Sequence, residues 1–286
     1  MGVQLLREGA IGKIKRVVLC SNRTGAVDQY RLMGPRPAEG VAPPARLDWN
    51  LWLGTAPQRP YAPDLYHPMK WRAWQDFGTG WSGDIGCHIF DAVWKSLGLT
   101  APKTITAEVQ KSWQESPARR ADTWPQWNHI TWSFPGSAMT AGDELQVEWF
   151  DGEMLPPEEV GKMAGLAAYP EEAAMVIGTE GSLLLPHQSG PRLNPLEKFK
   201  DHPRPKLPPR NHYHHFVDAC LGGEMTESHF GQTAPMTEAI LLGTVAIRSP
   251  GKTLEWNASG MKIANDEEAQ AMLKRTYRDG WKVAGL

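Results

Sequence analysis

His129-Ile130-Thr131-Trp132-Ser133-Phe134-Pro135-Gly136 and, a short connection later, Gly142-Asp143-Glu144-Leu145-Gln146-Val147-Glu148-Trp149-Phe150 read as two strands and a turn. Ile130, Trp132 and Phe134 alternate with Thr131 and Ser133, while Leu145, Val147 and Trp149 alternate with Gln146 and Glu148. A period of two gives each strand one apolar and one polar face. Pro135-Gly136 and Gly142-Asp143 bracket the connection, and a short connection implies antiparallel neighbours. A sheet covered on one side follows.

Similar β-rich runs occur at Lys13 to Cys20, Lys103 to Trp113, Ala174 to Ile177 and Ser182 to Leu185, the last two separated by the turn Thr179-Glu180-Gly181. Helical patterns occupy Gly83 to Leu97, Asn211 to Leu221, Ala234 to Arg248 and Asp266 to Tyr277. Strands clustered in the middle with helices gathered around them predict an α+β fold, a predominantly antiparallel open sheet with helices on one face. Pro35 to Pro44, Pro57 to Pro68 and Pro191 to Pro209 read as surface loops, because proline denies the ladder its donors. The first two are expected to border the substrate cleft. There is no internal repeat.

The 286 residues are 41% apolar, enough for one large core or two small ones. With 30 basic and 32 acidic residues the net charge is −2, and no Lys/Arg stripe points to nucleic acid or an anionic membrane. The longest apolar stretch, Ala239 to Ile247, is too short to span a bilayer. Cys20, Cys87 and Cys220 are too few and scattered for a disulfide framework or a structural zinc site. The default location is cytoplasmic.

Chemistry concentrates in Trp71-Arg72-Ala73-Trp74-Gln75-Asp76-Phe77-Gly78-Thr79-Gly80-Trp81-Ser82-Gly83-Asp84-Ile85-Gly86-Cys87-His88-Ile89-Phe90-Asp91. On a helix, Asp84, His88, Asp91 and Lys95 share one face, and Ile85, Ile89, Val93 and Leu97 the other. A carboxylate beside an imidazole orients it and stabilises its protonated form, which is what general acid/base work requires. The same spacing fits a plainer helix, with Asp84 near the positive N-terminal end and His88 a bystander. Trp71, Trp74 and Trp81 offer flat apolar faces to a ligand while Arg72 offers hydrogen-bond donors, or they pack a core.

Two decoys sit nearby. Gly78-Thr79-Gly80-Trp81-Ser82-Gly83 satisfies GxGxxG, but the polar, aromatic Trp71 to Phe77 before it is not the buried strand that a nucleotide fingerprint follows. Asn211-His212-Tyr213-His214-His215 with Asp218 suggests metal ligands, yet at most two of them share a helix face, which leaves the site incomplete. The cluster instead marks a helix start, with His214 expected at the pocket rim.

WRAWQDFGTGWSGDIGCHIFD resembles the motif of the glucose-fructose oxidoreductase and inositol dehydrogenase (Gfo/Idh/MocA) family. Leu47-Asp48-Trp49-Asn50-Leu51-Trp52-Leu53-Gly54, Gly178-Thr179-Glu180-Gly181-Ser182, Thr237 to Arg248 and Leu254 to Asn257 extend the resemblance toward a sugar-acting, planctomycete-like branch. It implies an NAD(P)-dependent oxidoreductase that passes hydride between nicotinamide C4 and a carbinol carbon of a sugar or polyol. Asp84 and His88 would then be the catalytic pair, either one the proximal base, with Trp71, Arg72, Trp81 and His214 around the substrate. It also implies homo-oligomers formed through the open sheet face.

Family members begin with a dinucleotide-binding Rossmann domain and a Glu-Lys-Pro motif that have no counterpart here. Residues 1–12 are therefore expected to be the last helix and exit turn of such a domain, and residues 13–286 the substrate-binding and oligomerisation domain. NAD or NADP belongs to the full-length pattern, and none is expected to bind this chain alone. A non-catalytic carbohydrate-binding or assembly protein is the competing reading.

Overall fold

The structure is a computed structural model that describes residues 1–23, 34–66, 69–163 and 165–285. The end of the Pro57 to Pro68 loop, at positions 67 and 68, lies outside the described residues. Nine strands form one sheet among the described residues: β1 Ile14–Ser21, β2 Thr104–Val109, β3 Asn128–Pro135, β4 Glu144–Asp151, β5 Glu172–Gly178, β6 Ser182–Pro186, β7 Arg192–Asn194, β8 Leu254–Asn257 and β9 Lys262–Ile263. Their order is β7-β6-β5-β1-β4-β3-β2-β8-β9. Only β1 and β4 pair in parallel, with Leu19 opposite Trp149; every other neighbouring pair is antiparallel.

Five helices carry the argument: α1 Gly2–Arg7, α2 Gly80–Leu97, α3 His212–Cys220, α4 Phe230–Arg248 and α5 Glu267–Ala271. Helices α2 and α4 pack on each other and on the sheet, and α1 packs on α2. Leu5, Leu6 and Ile11 join the main core, so residues 1–12 are built into this body. That core takes Ile130, Trp132 and Phe134 from β3 and Leu145, Val147 and Trp149 from β4, all at most 2% exposed. The Trp132 indole donates to Ala239 O of α4 at 2.8 Å, which fixes the apolar face of the sheet against the helices.

Trp132, Phe134 and Trp149 lie on the helix-covered side of the sheet. Thr131, Ser133, Gln146 and Glu148 point the other way, where Arg16 and His129 both bond Glu148. A smaller apolar cluster on that reverse face, Val18, Cys20, Phe150, Ala173, Met175 and Leu184, is covered by the short helix Glu158–Met163 through Val160.

Two elements end well before their expected ends. The run expected as a strand to Trp113 ends at Val109 and turns into a helical turn at Lys111–Gln114, because Trp113 is fully buried and donates to Thr123 O at 3.1 Å. The helix expected to Tyr277 stops at Ala271. Beyond it Arg275 donates to Gln75 O, and Arg278 to Gly54 O and Asn50 O, so tertiary hydrogen bonds replace the next helical turns. Among the described residues no helix is long and apolar enough to cross a membrane.

Candidate active site

The polar groups of interest lie on the helix-covered side of the sheet, where β1 and β4 end and β3 and β5 begin. Alternation puts Ser21, Asn128, Asp151 and Glu172 on the same side as Leu19, Ile130, Trp149 and Ala174. The N-terminal half of α2 crosses above them. Its first turn buries Trp81, whose indole donates to Ser21 Oγ at 2.9 Å. Trp81 is only 7% exposed and roofs the strand ends, so it does not offer a free flat face.

One turn on, Asp84 Oδ2 accepts from Arg72 Nε at 2.7 Å, and the Arg72 guanidinium lies 4.3 Å from the centre of the Trp71 ring. Arg72 is thus clamped between a carboxylate and an indole, and it fixes the carboxylate's orientation in turn. Gly78 explains how the two approach: a Cβ there would stand 2.8 Å from Arg72 Cα, so only glycine lets the loop before α2 lie against residue 72. His88 follows at i+4 and is exposed, on the same face as Asp84. No hydrogen bond joins the two side chains. Asp84 is engaged by Arg72, and the His88 ring instead meets that of His187, centroid to centroid at 5.2 Å.

His187 brings residues that sequence reasoning missed. Its Nδ1 lies 2.7 Å from Glu172 Oε2, Ser21 Oγ donates to Glu172 Oε1 at 2.9 Å, and Arg23 also donates to Oε2. Burial works against ionisation of Glu172, but the hydrogen bonds from His187, Arg23 and Ser21 outweigh it and hold the carboxyl below its usual value. An open cavity of about 520 Å³, lined by Arg23, Glu172, Pro186, His187, Gln188 and Ser189, borders this group. The only sequence cues were a polar Ser21-Asn22-Arg23 at a strand exit and a histidine directly after Pro186.

Beside Ser21 across the β1–β4 pair sits Asp151, which is fully buried. It accepts from the Asn128 main-chain N–H at 2.9 Å and the Trp149 indole at 2.8 Å. Burial nevertheless pushes its carboxyl up to about 7, against those hydrogen bonds.

The structure therefore brings Trp71, Arg72, Asp84 and His88 together over Trp81. It does not bring His214. That residue is exposed on α3, a helix with no buried residue, and its side chain touches none of the others. Asn211 caps α3 through a hydrogen bond to the His214 N–H at 3.0 Å, which is the helix-start role read for the cluster. Among the described residues no three His, Cys, Asp or Glu side chains are placed to hold a metal ion.

The glycine loop forms no dinucleotide cradle. Besides Gly78 against Arg72, a Cβ on Gly80 would meet the Trp124 ring at 3.2 Å, and one on Gly83 would meet Thr79 Oγ1 at 2.3 Å. The Cys87 thiol beside the pair is pushed up by burial and by Asp84, the opposite of an activated nucleophile.

A family model described as "Oxidoreductase family, C-terminal alpha/beta domain", of the Gfo/Idh/MocA type, matches residues 3–146, half of the chain. No curated protein matches. Among solved structures, an NAD-binding protein from Listeria innocua is similar with a TM-score of 0.48 and 13% identity, over 89% of this chain and 62% of that one. Levoglucosan dehydrogenase in complex with NADH and levoglucosan is similar with a TM-score of 0.42 and 16% identity, over 89% and 62%. An inositol dehydrogenase homolog complexed with NAD+ from Azotobacter vinelandii has a TM-score of 0.42 and 14% identity, over 89% and 61%. The chain thus spans about three fifths of the length of these structures.

Proposed function

Because the chain belongs to the Gfo/Idh/MocA oxidoreductase family through its C-terminal alpha/beta domain, we propose that it is the substrate-binding half of an NAD(P)-dependent oxidoreductase acting on a secondary alcohol of a sugar or polyol. The observation that carries this reading is the Asp84 carboxylate, fixed by Arg72 one turn before an exposed His88. Asp84 orients the hydroxyl by accepting from it. His88, or Asp84 itself, takes the hydroxyl proton as the carbon is oxidised. Trp71 and Arg72 form one wall of the site.

NAD or NADP would supply the redox chemistry. An exposed apolar surface supports a docked nucleotide-binding domain: Tyr213, Phe216 and Leu221 of α3 and its exit are 78%, 60% and 82% exposed, and Phe230 is 88% exposed. Surfaces of that kind seldom stay bare. Self-association through the outer face of β2, β3 and β4 belongs to the same proposal. Arg16, His129 and Glu148 would make it a polar interface. Membership of a sugar-acting branch is proposed on the motif.

The chain supplied with a nucleotide-binding domain from a family member should oxidise a polyol such as inositol or an anhydrosugar such as levoglucosan. Asp84→Ala and His88→Ala should each lower turnover by about 10²-fold. Wild-type turnover in either variant would reduce that residue to a structural role. The loop glycines, packed against Arg72, Trp124 and Thr79, suit a second reading, a carbohydrate-binding protein without catalysis. Sugar binding with no turnover after reconstitution would select it.

A further inference from the structure

Glu172 is a second buried carboxylate beside the site. Its carboxylate is 6% exposed and satisfied three ways, by Ser21, Arg23 and His187. A buried carboxylate with several partners rigidifies whatever it holds. Here it holds His187. With Nδ1 held by Glu172, the ring's orientation is fixed and Nε2 is left for another hydrogen-bond partner.

His187 is 22% exposed, lines the 520 Å³ cavity, and touches His88 with ring planes inclined at 45°. No hydrogen bond joins the two rings, so their free nitrogens remain for a third party. The surrounding charge says what that party is. Arg23 is paired with Glu172 and Arg72 with Asp84, so each guanidinium charge is already matched by a carboxylate. Gln188 and Ser189 on the cavity wall are neutral hydrogen-bonding groups, and Glu171 adds a carboxylate that disfavours an anionic ligand. A neutral polyhydroxyl ligand fits this chemistry.

We propose that His187 is a second hydroxyl-binding imidazole of the substrate site, oriented by Glu172 and paired with His88 so that the two rings hold neighbouring hydroxyls of one sugar or polyol. The inference rests on the carbohydrate reading above and adds residues that the motif does not contain. Glu172 is a positioning residue, since it acts through His187.

The test follows the imidazole Cε1–H and ring-nitrogen NMR signals of the purified full chain, which has nine histidines, during titration with D-glucose, D-galactose and D-mannitol. The His88 and His187 signals should shift together along one binding curve. His187→Gln should weaken binding by about 5- to 10-fold, the loss of one hydrogen bond. Glu172→Gln should mix the tautomers of His187, a signature that a purely structural role for Glu172 would not produce.

A sugar that moves His88 but not His187 overturns the inference and leaves the carbohydrate reading standing. If no sugar moves either ring, both fall. Wild-type affinity in a folded His187→Gln overturns the inference alone, and if that variant does not fold, the joint shift in the wild type decides.

Discussion

Asp151→Asn should change how the stability of this protein depends on pH, in a direction that the sequence does not suggest. The Asp151 carboxyl is fully buried and pushed up to about 7, from an ordinary value near 4 in the unfolded chain. Its folded value is therefore the higher one, and the fold favours the protonated form. Below about pH 4 both states are protonated and the group costs nothing. From about pH 4 to about pH 7 the unfolded chain releases its proton while the folded one keeps it, so stability falls as pH rises. A shift of about three units at 1.4 kcal/mol each sets a ceiling of about 4 kcal/mol on that loss.

Asparagine removes the titration at a fixed cost. Asp151 accepts from the Asn128 N–H and Nδ2 and from the Trp149 indole, and an amide offers only one oxygen to these donors. The unmet donor costs about 1–3 kcal/mol at every pH. Urea unfolding at about pH 5 and about pH 8 separates the two effects, because the depressed carboxyls such as Glu172 and Glu148 act only at lower pH. The wild type should lose stability between those two points and the variant should lose much less. An equal loss in both proteins would refute the assignment of the slope to Asp151.

Two further substitutions test the packing. Gly243→Ala in α4 should lower the melting temperature although alanine is the better helix former by about 1 kcal/mol. A Cβ there would lie 2.6 Å from Trp132 Cζ2, and the ring is held by its bond to Ala239, so overpacking of about 1–3 kcal/mol wins; a raised melting temperature would contradict this. Arg59→Met should cost about 3–5 kcal/mol in chemical unfolding, because the fully buried guanidinium pairs with Asp76 and lies 4.7 Å over Phe77. Adding Asp76→Leu should restore much of the loss, and a double variant no better than the single one would show that the pair is not what matters.

The sheet was legible because its strands alternate cleanly, but the side of the sheet that alternation buries was not. Trp132 and Trp149 look the same in sequence whether they face helices or a second copy, and only the contact with α4 decides. Asp84 and His88 were legible as a pair because four residues make one helical turn. Their partners in space were not, since Glu172 and His187 meet each other by strand pairing and reach α2 through the tertiary fold. The place of His214 was not legible for a related reason: a histidine-rich helix start announces its cap at Asn211, but nothing local says which way the helix lies. The false end of α5 is a case of tertiary hydrogen bonds from Arg275 and Arg278 overriding local helix propensity.

The proposed division of labour puts the sugar site on this chain and the dinucleotide site elsewhere. Calorimetric titration of the purified full chain with levoglucosan or inositol and, separately, with NADH and NADPH tests it directly. The account predicts a sugar-binding heat that Asp84→Ala and His88→Ala reduce together, and no saturable heat with either dinucleotide. Tight binding of NADH or NADPH to the chain alone, or sugar binding indifferent to both substitutions, would contradict it.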